Sequence, residues 1–231
     1  MTVPDVAKVA ASIEAACVRA GRDPKSVRLL AVTKQVPAEA IRQAADLGVT
    51  LFGENRVQEA REKAGEGAFL GSTLCLIGHL QSNKAALAAR LFDEVHSVDS
   101  PRIAFALGKA AARYRTAPLP VLIEVNAGED PAKFGVLPSG AKELALAVME
   151  MPGLALKGLM TVAPGYGDAE MARSAFRRLR QVRDDLRDAG IPDAALQELS
   201  MGMSGDYEIA ISEGSTIVRI GTALFGPRRL R

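Results

Sequence analysis

The residue with the widest chemical scope is Lys34, in the run Arg28-Leu-Leu-Ala-Val-Thr-Lys34-Gln-Val-Pro37. Leu, Ala and Val lead into the lysine, and a proline follows three residues later, where a helical pattern opens. This reads as a buried parallel strand, a short loop and a helix. The ammonium group then stands at the carboxyl end of a strand, where α/β folds hold ligands. A lysine that is partly desolvated, or set near another cation, loses its proton more easily and becomes a Schiff-base nucleophile. Position alone favours a solvated lysine at a strand end; other stretches reverse that reading.

Two of them, Met201-Gly-Met-Ser-Gly205 and Ile220-Gly-Thr-Ala223, combine small residues with hydroxyls. Ser204 is expected to begin a helix, so that free backbone N–H groups and the helix dipole point at one place. A phosphate dianion suits such a place. Read separately, the glycines are turns and Ser204 a simple cap. Read with an amine nucleophile, they ask for a ligand carrying both an aldehyde and a phosphate, and pyridoxal 5′-phosphate is such a ligand. Arg219, on the strand expected beside that of Lys34, could then face the pyridine nitrogen. A guanidinium stays protonated and only donates, so it would keep that nitrogen unprotonated and weaken the ring as an electron sink. The other reading of Arg219 is an ion-pair or rim arginine.

The elements that must position these residues alternate along the chain. Apolar periodicity predicts a helix over 3–20, ended by Gly21, before the Lys34 strand. Strands are expected at 50–52, 73–77, 94–98, 119–125, 154–161, 198–200 and 215–220, with helices after each. Residues 53–59 read as a polar loop, Ser82 as the cap of a helix to Leu91, and Ser100-Pro101 as a cap followed by a first-turn proline. A long amphipathic helix is expected over 168–189, a helix from Ser204 to Glu213, and a last turn from Thr222. Each strand–helix unit takes about 25–30 residues, as a closed barrel of parallel strands needs. The expectation is a single (β/α)8 TIM-barrel domain over 1–231 with an extra N-terminal helix. An open doubly wound sheet is the alternative, because alternation does not prove closure. In the barrel, Lys34, Asn55, His79, Asn126, Met160, Ser200, Ser204, Arg219, Gly221 and Thr222 fall at strand exits, with strand eight beside strand one.

Composition narrows the function. Aromatic residues make up 4% and Trp is absent, so stacking platforms for bases are scarce, and a net charge of +2 is too small for a nucleic-acid footprint. The basic end Pro227-Arg-Arg-Leu-Arg231 reads as a solvated tail. Cys17 and Cys75 suggest reduced thiols in a cytoplasmic protein. Asp5 and Lys8 interrupt any signal-peptide apolar region. No apolar run approaches the ~18 residues that would span a membrane.

The motifs Ala31-Val-Thr-Lys34-Gln-Val-Pro37, Gly53-Glu-Asn-Arg-Val-Gln-Glu59, Ile77-Gly-His-Leu-Gln-Ser-Asn-Lys84, Leu159-Met-Thr161, Leu199-Ser-Met-Gly-Met-Ser204 and Gly214-Ser-Thr-Ile-Val-Arg-Ile-Gly-Thr222 resemble those of the pyridoxal phosphate homeostasis proteins. The resemblance covers almost the whole chain. It implies a barrel similar to that of alanine racemases, in a mostly monomeric protein. It also implies cofactor bound as an aldimine of Lys34, phosphate contacts from Ser204, Gly221 and Thr222, and a ring-nitrogen contact from Arg219. Asn55, Met160 and Ser200 complete the expected cofactor-binding set. The implied role is to hold pyridoxal phosphate and supply it, with pyridoxal-phosphate-dependent apoenzymes as recipients, in vitamin B6 homeostasis. Leu74-Cys75 stands where the family commonly has Trp-His, which changes the local wall. Lys133 is a second amine near the mouth or a solvated loop lysine; His79 reads as a loop histidine and Cys75 as a small buried hydrophobe.

Two other activities compete, an amino-acid racemase using the same cofactor and a class I aldolase in which Lys34 attacks a sugar phosphate. Racemisation needs an acid–base group on each face of a planar substrate. Lys34 could serve one. Of the three tyrosines, Tyr114 and Tyr207 are expected in helices and only Tyr166 could reach the mouth. No second domain is expected after Gly226. The cofactor is therefore expected to be carried without turnover.

Overall fold

The computed structural model describes residues 4–165 and 168–226. Helix α1 (Val6–Arg19) precedes β1 (Arg28–Val32), α2 (Ala38–Asp46), β2 (Leu51–Glu54), α3 (Val57–Gly65), β3 (Thr73–Leu76), α4 (Ala85–Leu91) and β4 (Glu94–Val98). Then come α5 (Pro101–Tyr114), β5 (Leu119–Glu124), α6 (Ala141–Met149), β6 (Leu154–Met160), α7 (Ala169–Asp188), β7 (Glu198–Met203), α8 (Tyr207–Ser212), β8 (Ile217–Ile220) and α9 (Thr222–Phe225). The strands are parallel and follow one another in chain order around a closed barrel. Closure comes from β8 pairing with β1, with Arg28 opposite Ile217 and Leu30 opposite Arg219, and it removes the open-sheet alternative.

Side chains alternate across each strand. Ala31, Phe52, Leu76 and Ile220 face outward into the main core, with Ile41, Leu107, Leu144 and Phe176 from the helices. Leu30, Leu51, Cys75 and Ile217 face inward and fill part of the barrel, flanked by Val32 and Ile77. Cys75 is thus the small buried residue that the sequence suggested. Helix α1 lies against α8, held by the Ser12–Tyr207 hydroxyl pair at 2.6 Å, and Arg22 just beyond it donates to the Ile211 and Ser215 carbonyls. The stripe Arg173, Arg177 and Arg180 on α7 converges on the buried Glu213 carboxylate that follows α8.

Local details differ from the expectations. Asp206, not Ser204, precedes α8. The stretch Met201–Met203 is strand rather than loop, because β7 carries an extra residue: Ser200 pairs with Ile217 and Met203 with Arg219. Gly202 makes that bulge possible. Its φ is +94°, and a Cβ there would come within 2.5 Å of the Ala210 side chain. Gly53 and Glu54 also belong to a strand, so the polar loop before α3 is shorter than expected. Ser82 sits in a 3-10 turn before α4 and accepts from Arg102. Ser100 precedes Pro101 as expected, but its hydroxyl donates to Asp99 rather than capping α5.

Candidate functional site at the carboxyl ends of the strands

Lys34 is half-buried in the turn that follows β1, closed by a hydrogen bond from the Val36 N–H to the Thr33 carbonyl at 2.9 Å. Gln35 takes a left-handed backbone conformation, φ +62°, and its N–H donates to Glu59 at 2.6 Å. Under the turn lies a buried ammonium group, that of Lys63 on α3. It donates to the Thr33 carbonyl (2.6 Å), Glu54 Oε1 (2.7 Å) and Glu59 Oε1 (2.6 Å), which uses all three of its protons. The Thr33 hydroxyl also donates to Glu54 Oε1 at 2.7 Å. Burial pushes the Glu54 carboxyl up, with Lys63 and Thr33 opposing it. Burial acts on Glu59 the same way, but the bonds from Lys63 and the Gln35 N–H outweigh it and hold this carboxyl below its ordinary value. Both residues flanking Lys34 are therefore tied to one buried charge network.

The β1–β8 pairing brings a second group of donors beside this turn. Gly221, after β8, lies against β1, where a Cβ would be in ordinary contact with Val32. The Gly221 N–H, the Thr222 hydroxyl and the Ala223 N–H all point at Ser204 Oγ, at 3.4, 3.4 and 3.5 Å. These contacts are longer than the ~2.9 Å of a well-made N–H···O bond. Several donors thus share one neutral oxygen weakly, an arrangement that an anion would tighten. Ser204 serves the start of α9 in place of the α8 cap expected of it.

Arg219, on β8, reaches past β7 to the end of β6. Its Nη1 donates to the Ser200 hydroxyl at 3.0 Å and its Nη2 to the Thr161 carbonyl at 2.7 Å. It is almost fully buried. Burial lowers its pKa to about 10, against the fields of Glu124 and Asp206, so it remains a cation at neutral pH. Ser200 is accordingly occupied in fixing Arg219. Glu124 ends β5 nearby, and its Oε2 is buried without a hydrogen-bond partner. Burial first, then the charge of Asp99, raise this carboxyl to about 7, with Arg219 and Lys133 opposing.

The remaining expected residues divide. Met160 is fully buried at the end of β6, opposite Glu124 on one side and Ser200 on the other. Asn55 follows β2 with a buried Oδ1 that no group bonds, and its backbone packs against Gly78. Asn126 is spent on its own loop, exchanging hydrogen bonds with Asp130. His79 bonds Asp99 at 2.8 Å and stacks on Phe134 with ring centres 4.0 Å apart. Lys133 is exposed, while Tyr166 and the basic end lie outside the described residues. The sequence reading missed Thr33, Glu54, Glu59, Lys63 and Glu124. Glu59 and Lys63 showed only as an ordinary i,i+4 helix pair, and Glu124 only as an acid closing an apolar strand.

Comparison with known proteins adds independent findings. A profile of the alanine racemase N-terminal domain family matches residues 5–229. The pyridoxal phosphate homeostasis protein of Pseudomonas aeruginosa is 45% identical over 224 residues, 97% of this chain and 94% of that one. The protein of the same name from Aquifex aeolicus is 42% identical over 224 residues, 97% of each chain. Among solved structures, PipY of Synechococcus elongatus with pyridoxal phosphate bound superposes with a TM-score of 0.81 at 38% identity, covering 94% of this chain and 100% of that one.

Two outcomes follow from the geometry. Lys63→Met leaves Glu54 buried without its cation, and should cost about 3–5 kcal/mol in denaturant unfolding near neutral pH. The deficit should shrink as pH falls and Glu54 takes a proton; a deficit that grows in acid would contradict the network. Glu124 binds its proton more tightly folded than unfolded, so its contribution to stability is lost as pH rises from about 4.5 to about 7. Glu124→Gln should remove that slope and gain on the wild type across the same window. Parallel stability–pH curves would show that Glu124 does not titrate there.

Proposed function

This chain belongs to the alanine racemase N-terminal domain family and, within it, to the pyridoxal phosphate homeostasis proteins, and on that basis we propose that it binds pyridoxal 5′-phosphate covalently at Lys34 and carries it. The observation that supports this most directly is the pairing of a held lysine turn with the slack donor set of Ser204, Gly221, Thr222 and Ala223, one strand away. Buried polar atoms left without partners, Asn55 Oδ1 and Glu124 Oε2, border the same mouth. The residues present therefore fit the cofactor. When bound, it supplies an aldehyde that condenses with a primary amine.

In this reading Lys34 contributes the amine. The Ser204 and Thr222 hydroxyls and the Gly221 and Ala223 N–H groups donate to the phosphate. Arg219 presents a fixed, donating edge to the ring nitrogen, oriented by Ser200 and the Thr161 carbonyl. Met160 supplies an apolar wall, and Asn55 a carboxamide at the rim. The barrel acts as a single-domain monomer in the cytoplasm, where Cys17 and Cys75 remain unpaired thiols, and it releases cofactor to pyridoxal-phosphate-dependent apoenzymes. No helix among the described residues is long and apolar enough to cross a membrane.

One feature favours turnover as a second reading: Glu124, raised to about 7, is an acid–base group poised near neutrality beside Arg219. Against it stand the relatives' names, which are those of homeostasis proteins rather than of enzymes.

The purified chain incubated with pyridoxal phosphate should turn yellow, and borohydride reduction should place the label on Lys34. Label on another lysine would refute the assignment, and a colourless protein would favour the aldolase. Ser204→Ala and Thr222→Val each remove a hydrogen bond to a charged acceptor, about 1.5–3 kcal/mol, so affinity should fall roughly 10- to 100-fold. Pyridoxal without the phosphate should bind more weakly still; equal affinity for the two would refute the phosphate site. Deuterium wash-in at the α-carbon of alanine should be negligible. Robust exchange abolished by both Lys34→Ala and Glu124→Gln would make this chain an enzyme.

A further inference from the structure

Inside the barrel, apart from the residues just described, three donors of different chemistry meet. They are the Cys75 thiol on β3 and the Glu94 carboxylate and His96 imidazole on β4, with their ligand atoms all within 4.8 Å of one another. The register explains the meeting: Cys75 pairs with Glu94, and Glu94 and His96 stand two residues apart on one strand face. His96 Nε2 lies 2.9 Å from Glu94 Oε2, and Cys75 Sγ lies 3.9 Å from the same oxygen. Cys75 and His96 are fully buried, whereas the Glu94 side chain keeps 22% of its exposure. Glu94 is the first residue of β4, so this opening faces the amino-terminal end of the strands, away from Lys34 and Ser204. The other ring nitrogen, His96 Nδ1, is buried with no hydrogen-bond partner. The proposed cofactor site uses none of these groups.

We propose that Cys75, Glu94 and His96 form a binding site for a thiophilic divalent transition metal of the zinc class. Zinc takes sulfur at about 2.3 Å and nitrogen or oxygen at about 2.0–2.2 Å, so tetrahedral ligand atoms stand roughly 3.3–3.7 Å apart. The observed contacts of 2.9 and 3.9 Å bracket that range. A thiol and an imidazole disfavour calcium and magnesium. Three protein ligands leave a fourth position on the side where Glu94 reaches solvent. With the metal on one His96 nitrogen, the ring keeps its proton on the other.

The charges balance. Binding replaces the thiol proton with a metal–sulfur bond, Cys–SH + M²⁺ → Cys–S–M⁺ + H⁺, and the Glu94 carboxylate cancels the remaining positive charge. Binding therefore takes the site from a net charge of −1 to neutral, so Arg28 and Arg219, whose fields reach His96, face a neutral site rather than a net cation. Arg28 is moreover paired with Glu198 at 2.9 Å. Because the thiol proton is displaced by the metal–sulfur bond, each metal bound should release one proton.

The test is titration of the full chain with Zn²⁺ and Co²⁺, with and without pyridoxal phosphate. One equivalent should bind with release of one proton. The Co²⁺ form should show a thiolate charge-transfer band and the visible absorption of a tetrahedral ion. Cys75→Ser should abolish the sulfur band, Glu94→Gln and His96→Gln should each weaken binding at least tenfold, and Cys17→Ser should change nothing. Because Glu94 is partly exposed, Glu94→Gln tests the site even if the buried variants fold poorly. Absence of stoichiometric binding, or a sulfur band that survives Cys75→Ser and disappears in Cys17→Ser, would overturn the proposal.

Discussion

The pairing of β8 with β1 is the constraint on which the rest of the structure depends. It closes the barrel, and it sets Leu30 opposite Arg219 and Ala31 opposite Ile220. The chain leaves β1 at the Lys34 turn and leaves β8 at Gly221 and Thr222. Residues almost two hundred positions apart thereby share one edge. An open sheet built from the same strands would leave β1 without this neighbour and separate the amine from the donor set.

Closure has a cost, because the barrel interior must hold charged groups out of water. Arg219 is buried among the Ser200 hydroxyl, the Thr161 carbonyl and the fields of two carboxylates. Thr161 in turn donates to the Val125 carbonyl at 2.7 Å, so the bonds run from the end of β5 past β6 to β7 and β8. Lys63 does the same work between β1, β2 and α3. A buried ion set of this kind adds little net stability over a well-packed apolar one, but losing one partner strands the other in a low dielectric. What these networks secure is orientation: each fixes a backbone turn or a guanidinium plane at the mouth.

The mouth is also uneven in its electrostatics. The fixed cation Arg219 and the backbone donors near Ser204 favour an anion. Within the field of Arg219, Glu124 and Asp99 crowd negative charge, and Glu124 relieves it by keeping a proton up to about pH 7.

Much of this was legible in the sequence, because strand–helix alternation and hydrophobic period depend on neighbours a few residues away. The eight units, the N-terminal helix, the strand-end position of Lys34 and the grouping of Ser204, Arg219, Gly221 and Thr222 all follow from local pattern and from the rule that ligands gather at strand exits. The motifs that resemble the homeostasis proteins sharpened the same reading. Tertiary structure alone decided what each polar residue bonds. Ser204 faces α9 because β7 bulges at Gly202, Ser200 is spent on Arg219, and Asn126 on its own loop. Lys63 looks like a solvated helix lysine until α3 packs its face beneath the Lys34 turn. Cys75 and His96 come together only through the register of two strands. Burial and long-range contact set these roles, and neither is written in the spacing of residues along the chain.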